Sequence, residues 1–371
     1  MTLKTFLSEN KYAVLAFTAS LIIIITFAIN ITLSKYNYDY FINKIESQYN
    51  LKIEKKGDYS IIFFPKIIFK QNNMDISKKS ENFSIFLRNL KLEAIKEYSN
   101  LNNTNFKLNS PSTVINGIPL RDLKMNGKYK KQEIEISNLF TYINEGELNL
   151  TGKINTDKET SFDLTGNFTN ISLTTLLSQA QLIDWKRLSF KIRSDFVVKS
   201  KGKTEYEIIK NLNANLPIKG IFLINATQEE RFGTALLNLL TEKIPEISKI
   251  SQSLDFIISK FADIPSRIEG TIIIENGVVK TNELFIINDY AKMRVNLFYN
   301  ILQDKIDGKL FFYKEDNIYL TTEIKGNIRD PSILVGGQPF ITKDSEEPLE
   351  DIKKIINEGI TNIFQKLLEE N

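Results

Sequence analysis

The 371-residue chain contains no cysteine and no histidine. Without cysteine there is no disulfide and no thiolate nucleophile. The redox compartment stays open, because a domain of this size holds together without bridges. Without histidine, the commonest general base and the commonest metal ligand are both missing. Catalysis would then need a Ser–Lys pair or paired carboxylates. The adjacent acids Glu229-Glu230 and Glu346-Glu347 lie in stretches that read as exposed. The 16 glycines are scattered, and none forms a phosphate-cradling or dinucleotide-binding loop. Calcium-loop spacing is absent as well. Net charge is only +3 with both signs interspersed, so no basic stripe invites nucleic acid. The expectation is a protein that is not an enzyme and that holds neither cofactor nor metal.

What the chain does have is one long apolar run. Between Lys11 and Lys35 lie 23 residues without a charge, among them Leu21-Ile22-Ile23-Ile24-Ile25. As a helix the run would reach roughly 34 Å, enough to cross a hydrocarbon core of about 30 Å. A cleavable signal peptide is shorter and ends in a small-x-small site, which Ile29-Asn30-Ile31-Thr32-Leu33 lacks. Residues 12–34 therefore read as an uncleaved transmembrane signal-anchor. Lys4 and Lys11 against Glu9 favour a cytoplasmic segment 1–11 with the bulk of the chain translocated. In a bacterium with two membranes, that places it on the inner membrane and in the periplasm.

Beyond the anchor the pattern is mainly β with helices (α+β). Asn37–Tyr49 is spaced for a short helix with Tyr40, Phe41, Ile45 and Tyr49 on one face, and Tyr36, Tyr38 and Tyr40 suit an interfacial aromatic belt. Strands follow at Tyr59–Phe63 and Lys66–Lys70, separated by Pro65, which lacks a ladder donor. Alternation continues through Phe83–Leu87, and Ser99–Pro111 reads as an Asn-rich connector. Asn116-Gly117, Asn126-Gly127 and Asn276-Gly277 are hairpin-turn signals, because Asn-Gly tolerates the positive φ of a type I′ turn. Leu148-Asn-Leu-Thr-Gly152-Lys-Ile154 is echoed by Phe162-Asp-Leu-Thr-Gly166-Asn-Phe168, two strands whose internal glycines suggest bulges. Helical patterns cover Leu173–Ala180 and Gln228–Phe261, the latter to be split at Pro245. Strands return over Gly270–Glu275, Val278–Ile287, Lys292–Tyr299, Gly308–Tyr313 and Asn317–Gly326, and Pro331 closes the series. Within residues 343–371, Glu346–Glu370 is an amphipathic helix that caps an open end of the sheet rather than lying on lipid. It carries eight carboxylates against four lysines between Lys343 and Asn371, the wrong sign for an anionic surface. Tyr36–Leu92 has ten Lys/Arg against six Asp/Glu, which makes the membrane-near part the more basic.

Three stretches together resemble the AsmA family of bacterial inner-membrane proteins. They are Gly57-Asp-Tyr-Ser-Ile-Ile-Phe-Phe-Pro65-Lys-Ile-Ile-Phe69; Asp163-Leu-Thr-Gly-Asn-Phe-Thr-Asn-Ile-Ser-Leu-Thr-Thr-Leu-Leu177; and Ile268-Glu-Gly270 with Asn276-Gly277 and Asn282-Glu-Leu284, closing at Ile324-Lys-Gly326-Asn-Ile-Arg-Asp330-Pro331. The resemblance implies that residues 35–342 form a periplasmic domain, a long twisted antiparallel sheet curled into an open groove, with a helical insertion near 228–261. It implies phospholipid transfer between the inner and outer membranes, or support of outer-membrane assembly with envelope protein partners. A period-two strand has one apolar face, and such faces could solvate acyl chains. Candidate groove residues are Phe83, Ile85, Leu148, Leu150, Phe162, Leu164, Met293, Val295 and Leu297. The same faces could instead pack on one another as a sandwich core. The protein would then be a scaffold for outer-membrane protein assembly that touches no lipid.

Overall fold

A computed structural model describes residues 38–40, 42–47, 50–79, 84–100, 102–179, 188–226, 252, 255–328, 330–335 and 338–341. Among these the chain is mainly antiparallel β-sheet, with eighteen strands and four short α-helical segments. None of the described helices is long and apolar enough to cross a membrane. Tyr12–Leu33, Glu346–Glu370 and most of Gln228–Phe261, including Pro245, lie outside the described residues. The chain divides into two compact units, residues 1–137 and 138–371.

The first unit begins with helix α1 (residues 38–40 and 42–47). It continues through β1 (Lys52–Lys55), β2 (Tyr59–Ile62), β3 (Ile67–Lys79), β4 (Ser84–Lys96), β5 (Asn103–Ile115) and β6 (Ile118–Lys130). β1 and β2 pair with successive halves of β3, and β3 to β6 form an antiparallel meander. Its core gathers Tyr38 and Ile42 of α1 with Ile53, Ile61, Met74 and Leu90. This reverses the helix face expected from spacing. Tyr40 and Ile45 are the exposed side, while Tyr38 is 2% exposed rather than standing in a solvated belt. The reason is a partner on β3: the Tyr38 hydroxyl finds a buried acceptor in Gln71, so the whole ring can be withdrawn from water.

Two further expectations for this unit are corrected. The Asn-rich connector is strand β5, in which Phe106, Leu108 and Ser110 turn inward and Asn105, Lys107 and Asn109 face water. Composition concealed a period of two. Pro111 is tolerated because the β4–β5 ladder is broken there, with no register pair between Arg88–Ser112 and Lys91–Asn109. Asn126-Gly127 is no turn but the middle of β6, where Gly127 lies opposite Phe106 and leaves room for that ring over the backbone. The turn that follows β6 is made by Lys131 and Gln132, both at positive φ (45° and 69°). Asn116-Gly117 does form its hairpin turn, with φ of 48° and 82°.

Strand β7 (Glu133–Ile143) spans the division between the units. The second unit runs through β8 (Gly146–Asn155), β9 (Thr160–Ser172), α2 (Leu173–Gln179), β10 (Leu188–Gly202), α3 (Glu205–Lys210) and β11 (Asn213–Ile224), then α4 (residues 255–261). After α4 come β12 (Ser266–Glu275), β13 (Val278–Ile287), β14 (Lys292–Asn300), β15 (Lys305–Lys314), β16 (Asn317–Asn327), β17 (Asp330–Val335) and β18 (Gln338–Ile341). Each strand from β8 to β18 pairs antiparallel with the next. Pro331 therefore does not end the series. It sits second in β17, opposite Gly326.

The sequence echo turns out to be a pair of partners: Leu150 faces Gly166 and Gly152 faces Leu164 across the β8–β9 ladder, which is continuous rather than bulged. A bulge at a glycine in this unit falls instead at Gly270, where the β12–β13 register shifts between Glu269 and Thr271. There φ is +149° and a Cβ would stand 2.4 Å from the Glu283 carbonyl oxygen, so only glycine fits. Helix α3 is started by Thr204, whose side chain accepts from the Glu207 amide, while Glu207 accepts at 2.7 Å from the Lys203 amide. Asn276-Gly277 makes the expected turn, with φ of 51° and 73°.

Candidate functional site

The register of the second unit assembles one face from alternate residues of many strands. One row crosses seven strands as Ile192, Gly220, Ile268, Ile286, Met293, Phe312 and Leu320. Six residues along each strand (seven in β13), a further row runs Val198, Ala214, Ile274, Val279, Tyr299, Ile306 and Gly326. β8 and β9 extend the same face with Leu148, Leu150, Ile154, Phe162, Leu164 and Phe168. No charged side chain interrupts these rows among the described residues. Lys, Arg, Asp and Glu occupy the other side, in cross-strand pairs such as Lys199–Asp163 at 2.8 Å and Lys309–Glu323 at 2.8 Å. Hydrogen bonds from Lys309 and then Lys325 hold the pKa of the Glu323 carboxyl down at about 2, so this carboxyl stays ionised.

Burial along the apolar face is uneven, and the helices explain why. Phe256 and Phe261 of α4 pack onto the first row, with Phe261 fully buried and its ring edge-on to Phe312 at 5.8 Å. Ile192, Ile218, Phe222, Leu284 and Met293 are sealed in the same cluster. The second row is different. Val198, Ala214, Ile274, Val279 and Tyr299 are all half-buried, and only Ile306, beside Ile328, is fully enclosed. Leu148, Leu150, Phe162 and Leu164 are half-buried too. The face is thus a packed core under α4 that passes into a surface with partial access to solvent.

The candidates read from the sequence distribute accordingly. Leu148, Leu150, Phe162, Leu164, Val295 and Leu297 lie on this face and keep partial exposure. Met293 shares the face but is only 5% exposed, shut in by Phe312 and the α4 cluster. Ile85 belongs to the first unit, where β4 sets it between Lys78 and Ile115. Phe83 lies outside the described residues. Sequence reasoning missed the residues that join β9 to β14 into one surface, namely Phe196, Val198, Leu216, Ile272 and Ile274. Their signal was present in β10 as Phe196-x-Val198, but the unbroken run Ile272-Ile273-Ile274 hides which residues turn inward.

The hydrophilic side of β8–β11 carries a hollow of about 420 Å³, lined by Asn149, Thr151, Thr165, Asn167, Asp195 and Asn215 among others. Its polar groups satisfy one another in part, as in the 3.3 Å bond from Asn149 to Asn167. One carboxylate among amides and hydroxyls offers hydrogen bonding and no acid–base pair. Among the described residues no group of acidic side chains could hold a metal ion.

No family model, no curated protein and no solved structure matches the chain.

Proposed function

We propose that this is an AsmA-like envelope protein that carries phospholipid acyl chains on the half-exposed part of the apolar face in its second unit. In this reading Tyr12–Leu33 fixes it in the inner membrane and the β units stand in the periplasm, serving lipid transfer to the outer membrane. The observation that carries the proposal is the uncharged face running in register from β8 to β16 while staying only half covered beyond α4. An acyl chain withdrawn from water gains about 0.8 kcal/mol per buried methylene. A strip several strands long therefore holds a lipid tail with no site chemistry, which suits a chain without histidine or cysteine. Extended side chains at 2.0-residue spacing also allow a tail to slide, because no single position binds it.

The rival, a scaffold that touches no lipid, draws support from the sealed row around Met293 and Phe312. The two readings separate under photo-crosslinking in membranes. With a photoreactive residue at Leu150, Leu164 or Leu297, the carrier reading expects phospholipid adducts, and none at the neighbouring Thr151 or Thr165. Met293 labels weakly in either case. Equal labelling of both sides, or none at the half-exposed leucines, leaves the scaffold.

A further inference from the structure

One edge of the first unit collects features that the lipid-carrying surface does not use. Register places the β2–β3 turn, the end of β4, the turn at Tyr98–Asn100, the start of β5 and the end of β6 at the same end of the sheet: Ile67 faces Lys96, Ile95 faces Asn105, and Asn103 faces Lys130. Phe64 stands at the tip of the β2–β3 turn and is 75% exposed. Tyr98 and Tyr129 are exposed at the same end, and the Tyr98 hydroxyl donates to the Phe63 carbonyl, which ties the Tyr98 turn to the β2–β3 turn. Around these rings the same edge carries Lys66, Lys96, Lys128, Lys130 and Lys131 against Glu97 and Glu133. The opposite end, at the Asn116-Gly117 turn, mixes Lys78, Lys79 and Arg121 with Asp122, and its described ring Phe86 is 38% exposed against 75% for Phe64.

The course of α1 says what this edge faces. Tyr38 packs at the level of Phe69 and Gln71, whereas Glu46 at the far end accepts from the Ile53 amide, and Ile53 pairs with Ile76. Followed backwards, the helix therefore runs towards Ile67 and the Phe64 turn. The apolar run Tyr12–Leu33 ends only four residues before Tyr38 starts, with Ser34 to Asn37 between them. The first described residue, Tyr38, thus lies on the side of the unit that displays Phe64. Aromatic rings flanked by lysines are the side chains that partition into the head-group layer of an anionic bilayer.

We propose that this edge docks on the surface of the bilayer that holds Tyr12–Leu33, with Phe64 in the interfacial layer and the lysines over anionic head groups. The first unit then stands at a fixed attitude to the membrane instead of swinging on a tether. This rests on the anchor reading, and the experiment tests the two separately.

The absence of native cysteine allows single-site labelling. The full chain is reconstituted into vesicles of phosphatidylcholine and phosphatidylglycerol, with a nitroxide at Tyr98→Cys, Tyr129→Cys or Asn116→Cys. Lipid-soluble oxygen and an aqueous nickel chelate then report depth. The expected result is a loss of nickel accessibility at Tyr98 and Tyr129, with Asn116 remaining aqueous. Adding Phe64→Ser and Lys130→Glu restores nickel accessibility at Tyr98 while the chain still resists alkaline carbonate. A chain that resists carbonate with all three labels aqueous keeps the anchor and loses the docking edge. A chain that washes off but is shielded at Tyr98 by added vesicles loses the anchor and keeps the edge. Shielding at Tyr98 that a protein partner produces and lipid does not overturns the proposal.

Discussion

The ring of Tyr38 lies stacked on that of Tyr59, with centroids 3.8 Å apart and planes 10° from parallel. Its hydroxyl donates to Gln71 Oε1 at 2.5 Å, and the Gln71 amide in turn donates to the Asn72 carbonyl at 2.7 Å. Both residues are almost wholly buried. α1 is therefore riveted to β2 and β3 through one aromatic stack and one fully engaged amide.

Replacing that tyrosine separates the two contributions. Tyr38→Ala removes a buried ring and should cost about 3–5 kcal/mol. Tyr38→Phe keeps the stack but strands the Gln71 oxygen, at about 1–3 kcal/mol. The phenol is also pushed up to about 12, chiefly by burial and then by Tyr59 and Asp39. Because the folded value lies above the unfolded one, its contribution is whole below pH 10 and is lost as pH rises through 12. Urea unfolding read by hydrogen exchange at β2 and β3 checks the first point. Phenolate absorbance checks the second: one tyrosine should ionise late in the parent and be missing in Tyr38→Phe.

Asp75 gives the acid counterpart. Its carboxylate accepts from Lys56 Nζ at 2.5 Å and from the Asn89 amide at 2.9 Å, and these bonds hold it below its ordinary value of 3.8. A depressed folded value means the contribution is present above pH 3.8 and disappears as pH falls through the folded value. Asp75→Asn should therefore destabilise the chain at neutral pH and flatten the loss of stability below pH 4. A parent and variant that lose stability in parallel between neutrality and pH 3 would sink this account.

Much of the strand order was legible because alternation and Asn-Gly turns are local signals. β12 to β16 follow from them with ends shifted by only a few residues, and α2 follows from its leucines. Other features were not legible, each for a physical reason. The buried face of α1 depends on Gln71, an acceptor 33 residues away. The strand character of β5 is masked by asparagines that simply face water. The surface joining Leu150 to Leu297 depends on register across seven strands, β8 to β14, and the short-range pattern within one strand carries no register.

The turn after β6 was hidden more completely, because Lys131 and Gln132 carry none of the usual turn chemistry. Both hold the left-handed conformation, at φ of 45° and 69°, which costs a side chain about 1–2 kcal/mol relative to glycine. Gln132→Gly should relieve part of this and stabilise the chain by about 0.5–1 kcal/mol, the remainder going to the extra freedom of the unfolded chain. Thermal unfolding would show it. A drop in midpoint would mean the glutamine side chain contributes more than its backbone costs.

Phe261 decides how sharply the sealed and half-open parts of the apolar face are divided. It is fully buried at the end of α4, edge-on to Phe312 of β15 at 5.8 Å, with Phe256 edge-on to the same ring at 6.4 Å. Phe261→Ala leaves a cavity lined by apolar atoms and should cost about 3–5 kcal/mol, felt as faster hydrogen exchange at Ile286 and Met293. An apolar hole of that kind stays dry and accepts an apolar guest. Under the carrier reading, a photoreactive residue at Met293 should therefore begin to capture phospholipid in Phe261→Ala, having captured little in the parent. If capture at Met293 stays low while Leu150 and Leu297 still label, the sealed end is walled by more than this ring. If capture rises at Met293 and falls at Leu297, the two parts of the face compete for the same tail.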